Sequence, residues 1–240
     1  MSEEKKIVSG NDLEEDGELT LFEGQPFSGI CCNYSKNGQK DHETYYRDGK
    51  REGLDSEWYI KGQKSQGYYK DGKEDGVWTT WYKDGEKQSR KFYKNGKLNG
   101  NQTEWYEDGQ KKYKRHYKDG KEDGLWTGWY KSGKKRSERN WKEDGVSTCW
   151  YENRQKKSEV HCKDGKEHGL WISWYENGKK EREGNLKDGE FDGLWINWYE
   201  NGKKKVEKHY KDGKEDGLWT EWDEDGKKTF QGNFVNGNEQ

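Results

Sequence analysis

Apolar and polar positions alternate along this chain in short segments, and glycine interrupts them every dozen residues or fewer. The stretch Val77-Trp78-Thr79-Thr80-Trp81-Tyr82 lies between Asp71-Gly72 and Asp84-Gly85. Asp-Gly and Asn-Gly accept positive φ at both central turn positions, as a type I′ hairpin requires. The segments between such turns are rich in Trp, Tyr, Thr, Ile and Val, which suit a pleated, half-buried surface. Alanine is absent and no 3.6-residue stripe outlasts a single helical turn, so helix is excluded. The pattern predicts hairpins.

The hairpins repeat. The residues that open successive units are Phe22, Tyr46, Tyr69, Tyr93, Tyr117, Trp141, Cys162, Leu186, Tyr210 and Phe234. Their spacing is 24 residues apart from single steps of 23 and 21. The predicted fold is all-β: an elongated antiparallel β-meander of about nine 24-residue hairpin repeats, forming a single twisted, curved sheet. At about 4.8 Å between strands it would extend roughly 85 Å. Residues 19–236 make up the array, and residues 237–240 a C-terminal tail. Residues 1–18 read as an acidic, disordered tail, with an added edge strand at Leu19 to Phe22 as the alternative.

One unit, residues 141–161, is irregular: three residues are missing near its first turn, Ser147 stands for Trp, and Arg154 stands for the turn glycine. A left-handed non-glycine costs roughly 1–2 kcal/mol, which predicts a different turn there and a change of curvature.

Residues two apart on a strand share a face. One face carries Val77, Thr79 and Trp81, and equivalents such as Leu170-Ile172-Trp174 and Leu194-Ile196-Trp198. It hardly varies between units and reads as the aromatic core. The other face carries Trp-x-Tyr positions: Trp78, Tyr82, Trp126, Tyr130, Trp171, Tyr175, Trp195, Tyr199 and Trp219. Its frame is regular and its middle residue changes, so these nine residues are the expected partner-binding surface.

Composition narrows the class. Leu, Ile, Val and Phe together number 27 of 240 residues, low enough to suggest disorder in a chain of high net charge. Net charge here is −2, however, and 14 Trp and 16 Tyr can supply buried area in place of aliphatics. The balance of 46 basic and 48 acidic residues argues against binding nucleic acid or anionic membrane by bulk charge. Four cysteines without a CxxC pair make no disulfide framework. The N-terminal residues contain no apolar signal-type stretch, and the reading is a cytoplasmic protein with reduced thiols.

The recurring string "KDGKEDGLWTxWYENGKKxxE" closely resembles the MORN-repeat variant of bacterial proteins known as YwqK-type antitoxins. "PFSG" at Pro26 to Gly29 is similar to the opening of such proteins, and the likeness runs from about Phe22 to Asn236. The resemblance implies an extended β-sheet array that binds a protein, and a role in neutralising a partner toxin. Related MORN repeats are associated with membrane lipids and scaffolding. Cys31 and Gln102, in Trp positions, and the irregular unit depart from the pattern.

Catalytic motifs are absent from the sequence: it has no GxSxG, HExxH, P-loop or GxGxxG. His161, Cys162 and His168 match no standard metal-site spacing. Asp and Glu concentrate in turns, where they make local backbone hydrogen bonds. The expectation is a non-enzymatic protein without metal or cofactor that binds a partner protein, a toxin among the candidates. The alternative is a scaffold binding lipid, carbohydrate or single-stranded nucleic acid through a Trp/Tyr/Lys face.

Overall fold

The computed structural model describes residues 6–140 and 144–240, in two compact units divided between Glu122 and Asp123. In the first, the strands Gly29–Tyr34, Lys40–Arg47, Lys50–Trp58, Gln63–Lys70, Gly76–Trp81, Lys87–Lys94, Gly100–Trp105 and Lys111–Lys118 each run antiparallel to the one before. In the second, the same meander runs through Leu125–Trp129, Lys135–Asn140, Gly145–Trp150, Lys156–Lys163, Lys166–Trp174, Lys180–Lys187, Glu190–Trp198, Lys204–Lys211, Gly217–Trp222 and Lys228–Val235. The fold is the all-β hairpin array that the glycine spacing predicts.

The N-terminal stretch is more ordered than its acidity suggested. Ile7–Ser9 pairs in parallel with Gly29–Tyr34, and Leu13–Asp16, Leu19–Phe22 and Gln25–Pro26 form a separate three-stranded sheet. Its anchor is "PFSG". Phe27 is 2% exposed and packs with Val8 and Cys31 against Leu13, Phe22 and Tyr46. The Ser28 hydroxyl accepts the Asp48 N–H at 2.7 Å. This apolar cluster, small as it is, offsets the ordering entropy that a charged tail alone would not.

Two kinds of turn alternate. At the first turn of the regular repeats both residues are left-handed, as in Asp71 (φ 50°) and Gly72 (φ 79°), or Asp212 (φ 48°) and Gly213 (φ 78°). These are the expected type I′ turns, and the glycine N–H donates to the preceding repeat, Gly213 to Phe191 O at 3.0 Å and Gly96 to Glu74 O at 2.8 Å. The second turn is different. Only its glycine is left-handed, with Gly85 N–H donating to Tyr82 O and Tyr82 N–H to Glu86 O. That is a type I turn closed by a bulge, stabilised by side chains such as Asn177, whose Oδ1 accepts the Lys179 N–H at 2.9 Å.

The irregular unit keeps this second turn. Arg154 sits at φ 74°, its N–H donates to Tyr151 O, and Tyr151 N–H donates to Gln155 O. The expectation of another turn therefore fails. Asn153 braces the loop, accepting the Gln155 N–H and donating to Glu176 O of the following hairpin, so neighbouring hydrogen bonds outweigh one strained residue. Trp141, where that unit was taken to open, lies outside the described residues.

The apolar packing of the second unit lies on the opposite face from the one expected, although Thr127 and Thr220 in the middle of the expected face are also buried. In the second unit Leu125, Leu170, Leu194 and Leu218 are exposed, whereas Trp195 is 8% exposed and packs with Val160, Cys162 and Leu186, flanked by Trp171 and Tyr210. The residue that opens each unit decides this. Leu186 lies two positions after Gly184, which faces Trp195, so the unit-opening residues and the Trp-x-Tyr tryptophans share a face.

Candidate interaction faces

The structure gives the nine expected partner-contact residues work within their own units. Trp78 lies over Gly67, where a Cβ would meet its ring at 2.1 Å, and its Nε1–H donates to Tyr68 O. Trp195 lies over Gly184 in the same way, at 2.2 Å, with Nε1–H donating to Asn185 O. The two glycines leave just enough height for an indole to lie against the neighbouring strand. Trp171 and Trp195 have ring centroids 5.5 Å apart, and Phe191 bridges Trp195 and Tyr210 at 4.3 and 5.2 Å. Trp219 packs on Phe230 and Phe234, with Lys208 Nζ 3.4 Å from its ring centroid. Trp126 is half-buried in the same row.

The tyrosines are staples. Tyr82 OH donates to Trp105 O at 2.8 Å, Tyr130 to Trp150 O at 2.7 Å, Tyr175 to Trp198 O at 2.6 Å and Tyr199 to Trp222 O at 2.8 Å. Tyr59 and Tyr151 do the same. Each bond joins one repeat to the next, about 23 residues on. Burial pushes the phenols of Tyr82, Tyr130 and Tyr175 up, which keeps the donor proton in place. Near invariance of this Tyr in the sequence was thus a sign of repeat-to-repeat bonding, and only its hydroxyl could have revealed it.

In the second unit the other face is ordered in three rows. In the first, the register sets leucines beside neutral polar residues: Leu125 opposite Asn140, Val146 opposite His161, Leu170 opposite Asn185, Leu194 opposite His209 and Leu218 opposite Asn233. The aliphatic members are 39–52% exposed. The middle row sets Thr127 opposite Glu138, Ile172 opposite Glu183, Ile196 opposite Glu207 and Thr220 opposite Gln231. The third alternates Trp with Lys, with Lys156 over Trp174, Lys180 over Trp198 and Lys204 over Trp222, each 5.9 Å from the ring centroid.

These lysines are not free charges. Lys135 reaches Glu138 at 2.7 Å, Lys156 reaches Glu159 and Lys204 reaches Glu207 at 2.5 Å, and Lys180 pairs with Glu183. With lysines over their rings, the tryptophans are poorly placed to serve as flat sugar-stacking platforms.

In the first unit the Trp-x-Tyr row is more polar, with Cys31, Asp55 and Gln102 buried where other repeats have Trp. Asp55 is 4% exposed; its Oδ2 accepts from Thr44 Oγ1 at 2.6 Å and from His42 Nε2 at 3.0 Å. That hydrogen bond to Asp55 holds the His42 pKa above its ordinary 6.5, against partial burial. A raised folded pKa stabilises the folded state fully below the unfolded value and is lost as pH rises through the folded one. Urea denaturation of the whole chain should therefore show a contribution from the first unit that begins to fall above pH 6.5. His42→Gln should flatten that slope; an unchanged slope would mean that the pair is not coupled to folding.

His42 and Asp55 do not build a catalytic nucleophile, since Thr44 beside them is 2% exposed. Among the described residues no group of three or more His, Cys, Asp or Glu is placed to hold a metal ion. Among the described residues no helix is long and apolar enough to cross a membrane.

No curated protein is similar enough to count as a relative. The family pattern described as "MORN repeat variant" matches residues 74–95, 98–119, 122–143, 167–188, 191–212 and 215–236, each beginning just after a type I′ turn. These matches cover more than half of the chain and have the same period as the hairpins, and the chain belongs to the MORN repeat variant family.

Proposed function

We propose that this protein is a non-catalytic binding scaffold whose partner is another protein. The observation that carries this reading is the exposed row Leu125, Leu170, Leu194 and Leu218 with Val146 and the interleaved Asn and His residues. It is half apolar, with Asn and His opposite the aliphatic residues and Asp192 paired with Asn185 at its border. Apolar residues recur about every 10 Å along it, two strand spacings apart. Contiguous apolar surface with neutral hydrogen-bonding groups suits a protein partner. Phosphate-rich ligands need unpaired cations, and the adjacent lysines are paired with glutamates.

On this proposal the partner surface moves from the Trp-x-Tyr face to the leucine face, because the former packs the fold. The likeness to YwqK-type antitoxins supports a toxin as the partner, neutralised by masking its surface.

The test is capture of partners by tagged wild-type chain and by a Leu170→Asp/Leu194→Asp/Leu218→Asp variant. We expect one stoichiometric protein, retained at high salt with the wild type and lost with the variant, whose free form is toxic on expression. A partner retained by the variant, or binding that disappears with salt, would overturn the reading.

A further inference from the structure

The edge strand of the first unit, Gly29–Tyr34, is the first strand of a hairpin. Elsewhere such a strand lies against the second strand of the preceding hairpin: Ser65 and Gln66 against Thr80 and Thr79, Ser89 and Arg90 against Glu104 and Thr103, Val206 and Glu207 against Glu221 and Thr220. Beside Gly29–Tyr34 that place is taken by Ile7–Ser9, which runs parallel, Ile7 opposite Ile30, Val8 opposite Cys31 and Ser9 opposite Cys32. In the second unit, Lys228–Val235 is a second strand paired inward with Gly217–Trp222. On its outer side Asn238 and Glu239 reach Val235 and Phe234, and Gln240 N–H donates to Asn233 O at 2.9 Å. Among the described residues Lys228 to Gly232 have no outer strand partner. Among the described residues, no second strand of a hairpin pairs outside Gly29–Tyr34 and no first strand pairs outside Lys228–Val235.

We propose that Ile7–Ser9 is a detachable edge cap, and that the edge beneath it pairs with Lys228–Val235 of a second copy of this chain. The repeat itself supplies the register. Val206 opposite Glu221 and Glu207 opposite Thr220 translate to Phe230 opposite Asn33 and Gln231 opposite Cys32. Gly232 then falls opposite Cys31, two small residues across one rung. The partner strand is antiparallel, as everywhere else in the array, whereas the cap is not.

The cap's hold is slight. It is three residues long, Ile7 is 65% exposed, and Val8 is its one buried side chain. Ile30 N–H donates to Lys6 O at 2.8 Å and Gly10 N–H to Asn33 Oδ1 at 2.9 Å. Open strand edges invite pairing with other chains, and short covering segments are one way to block it. Because the two edges are different surfaces, the contact is heterologous and can propagate beyond a dimer.

Cys31 reports on the cap. It is buried beneath Val8, in contact with it and Phe27, and burial pushes its thiol pKa up. A thiol reagent followed by mass mapping distinguishes Cys31 from the more accessible Cys149.

The test uses the full chain carrying Val8→Asp, a second variant lacking residues 1–12, and each combined with Gln231→Pro, with circular dichroism confirming strand content. We expect several-fold faster labelling of Cys31 in both uncapped variants, and a molar mass by light scattering that rises with concentration to at least roughly twice that of the monomer. Gln231→Pro should restore the monomer without slowing Cys31 labelling. Uncapped chains that label at Cys31 and stay monomeric at every concentration would overturn the proposal. Wild-type chains that associate with Cys31 still protected would also overturn it, as would association that Gln231→Pro leaves intact.

Discussion

Trp195→Ala should lower stability by about 3–5 kcal/mol, the range for truncating a buried aromatic ring. Trp195 is the point where the second unit's packing converges. Its indole lies on Gly184, touches Phe191 and Trp171, borders Val160, Cys162 and Leu186, and donates to Asn185 O. The adjacent Leu194→Ser, on the other face, should change stability by about 0.5 kcal/mol or less, as exposed positions do. Urea denaturation followed by circular dichroism measures both. Because repeat arrays gain stability from neighbouring interfaces, the loss at Trp195 should appear as earlier melting of the 167–212 region rather than loss of all structure. Equal effects of the two substitutions would mean that the faces are not divided as described.

Gly184→Val should cost about 1–3 kcal/mol through overpacking. A Cβ at this position would stand 2.2 Å from the Trp195 ring, so the indole must leave the strand it covers and disturb Phe191. Gly67→Val repeats the experiment in the first unit, where the Trp78 ring lies at 2.1 Å. Thermal melts of both variants, with the double variants Gly184→Val/Trp195→Ala and Gly67→Val/Trp78→Ala, complete the test. If each glycine serves its tryptophan, the two losses in a double variant should be far from additive, since removing the ring removes the clash. Additive losses would assign the glycines a purely backbone role.

Period and strand class were legible in the sequence because Asp-Gly and Asn-Gly recur at fixed offsets, but turn type was legible only at the first turn: the same dipeptides at the second turn, such as Asp84-Gly85 and Asn177-Gly178, leave the glycine alone left-handed. Facing was not legible from strand alternation alone. Leucine and tryptophan alternate within one strand and both faces contain tryptophan, so a count of rings on each face does not identify the core. The deciding information lies across the rung: Gly67 and Gly184 opposite Trp78 and Trp195, with the unit-opening Tyr69 and Leu186 two residues beyond on the same face. The second glycine of "GKEDG" and "GKLNG" has a role of its own. Gly76, Gly100 and Gly217 hold φ between 83° and 120° at the point where register slips between hairpins, as bulge glycines do.

Regularity misled in the case of tyrosine. A side chain repeated in nearly every unit suggested a surface prepared for a ligand, and its hydroxyls instead close repeat-to-repeat hydrogen bonds. Variation misled as well, since the face with the changing middle residue is the packed one. The leucine face keeps its aliphatic residues while the residues opposite them change between Asn and His.

The division into a packed face and an open one is most directly measured by hydroxyl-radical footprinting of the free chain, with modification read at single residues and normalised to the intrinsic reactivity of each side chain. Leu170, Leu194 and Leu218 should be modified at close to their intrinsic rates, with Trp195, Val160 and Leu186 strongly protected. Protected leucines beside a freely modified Trp195 would contradict the account.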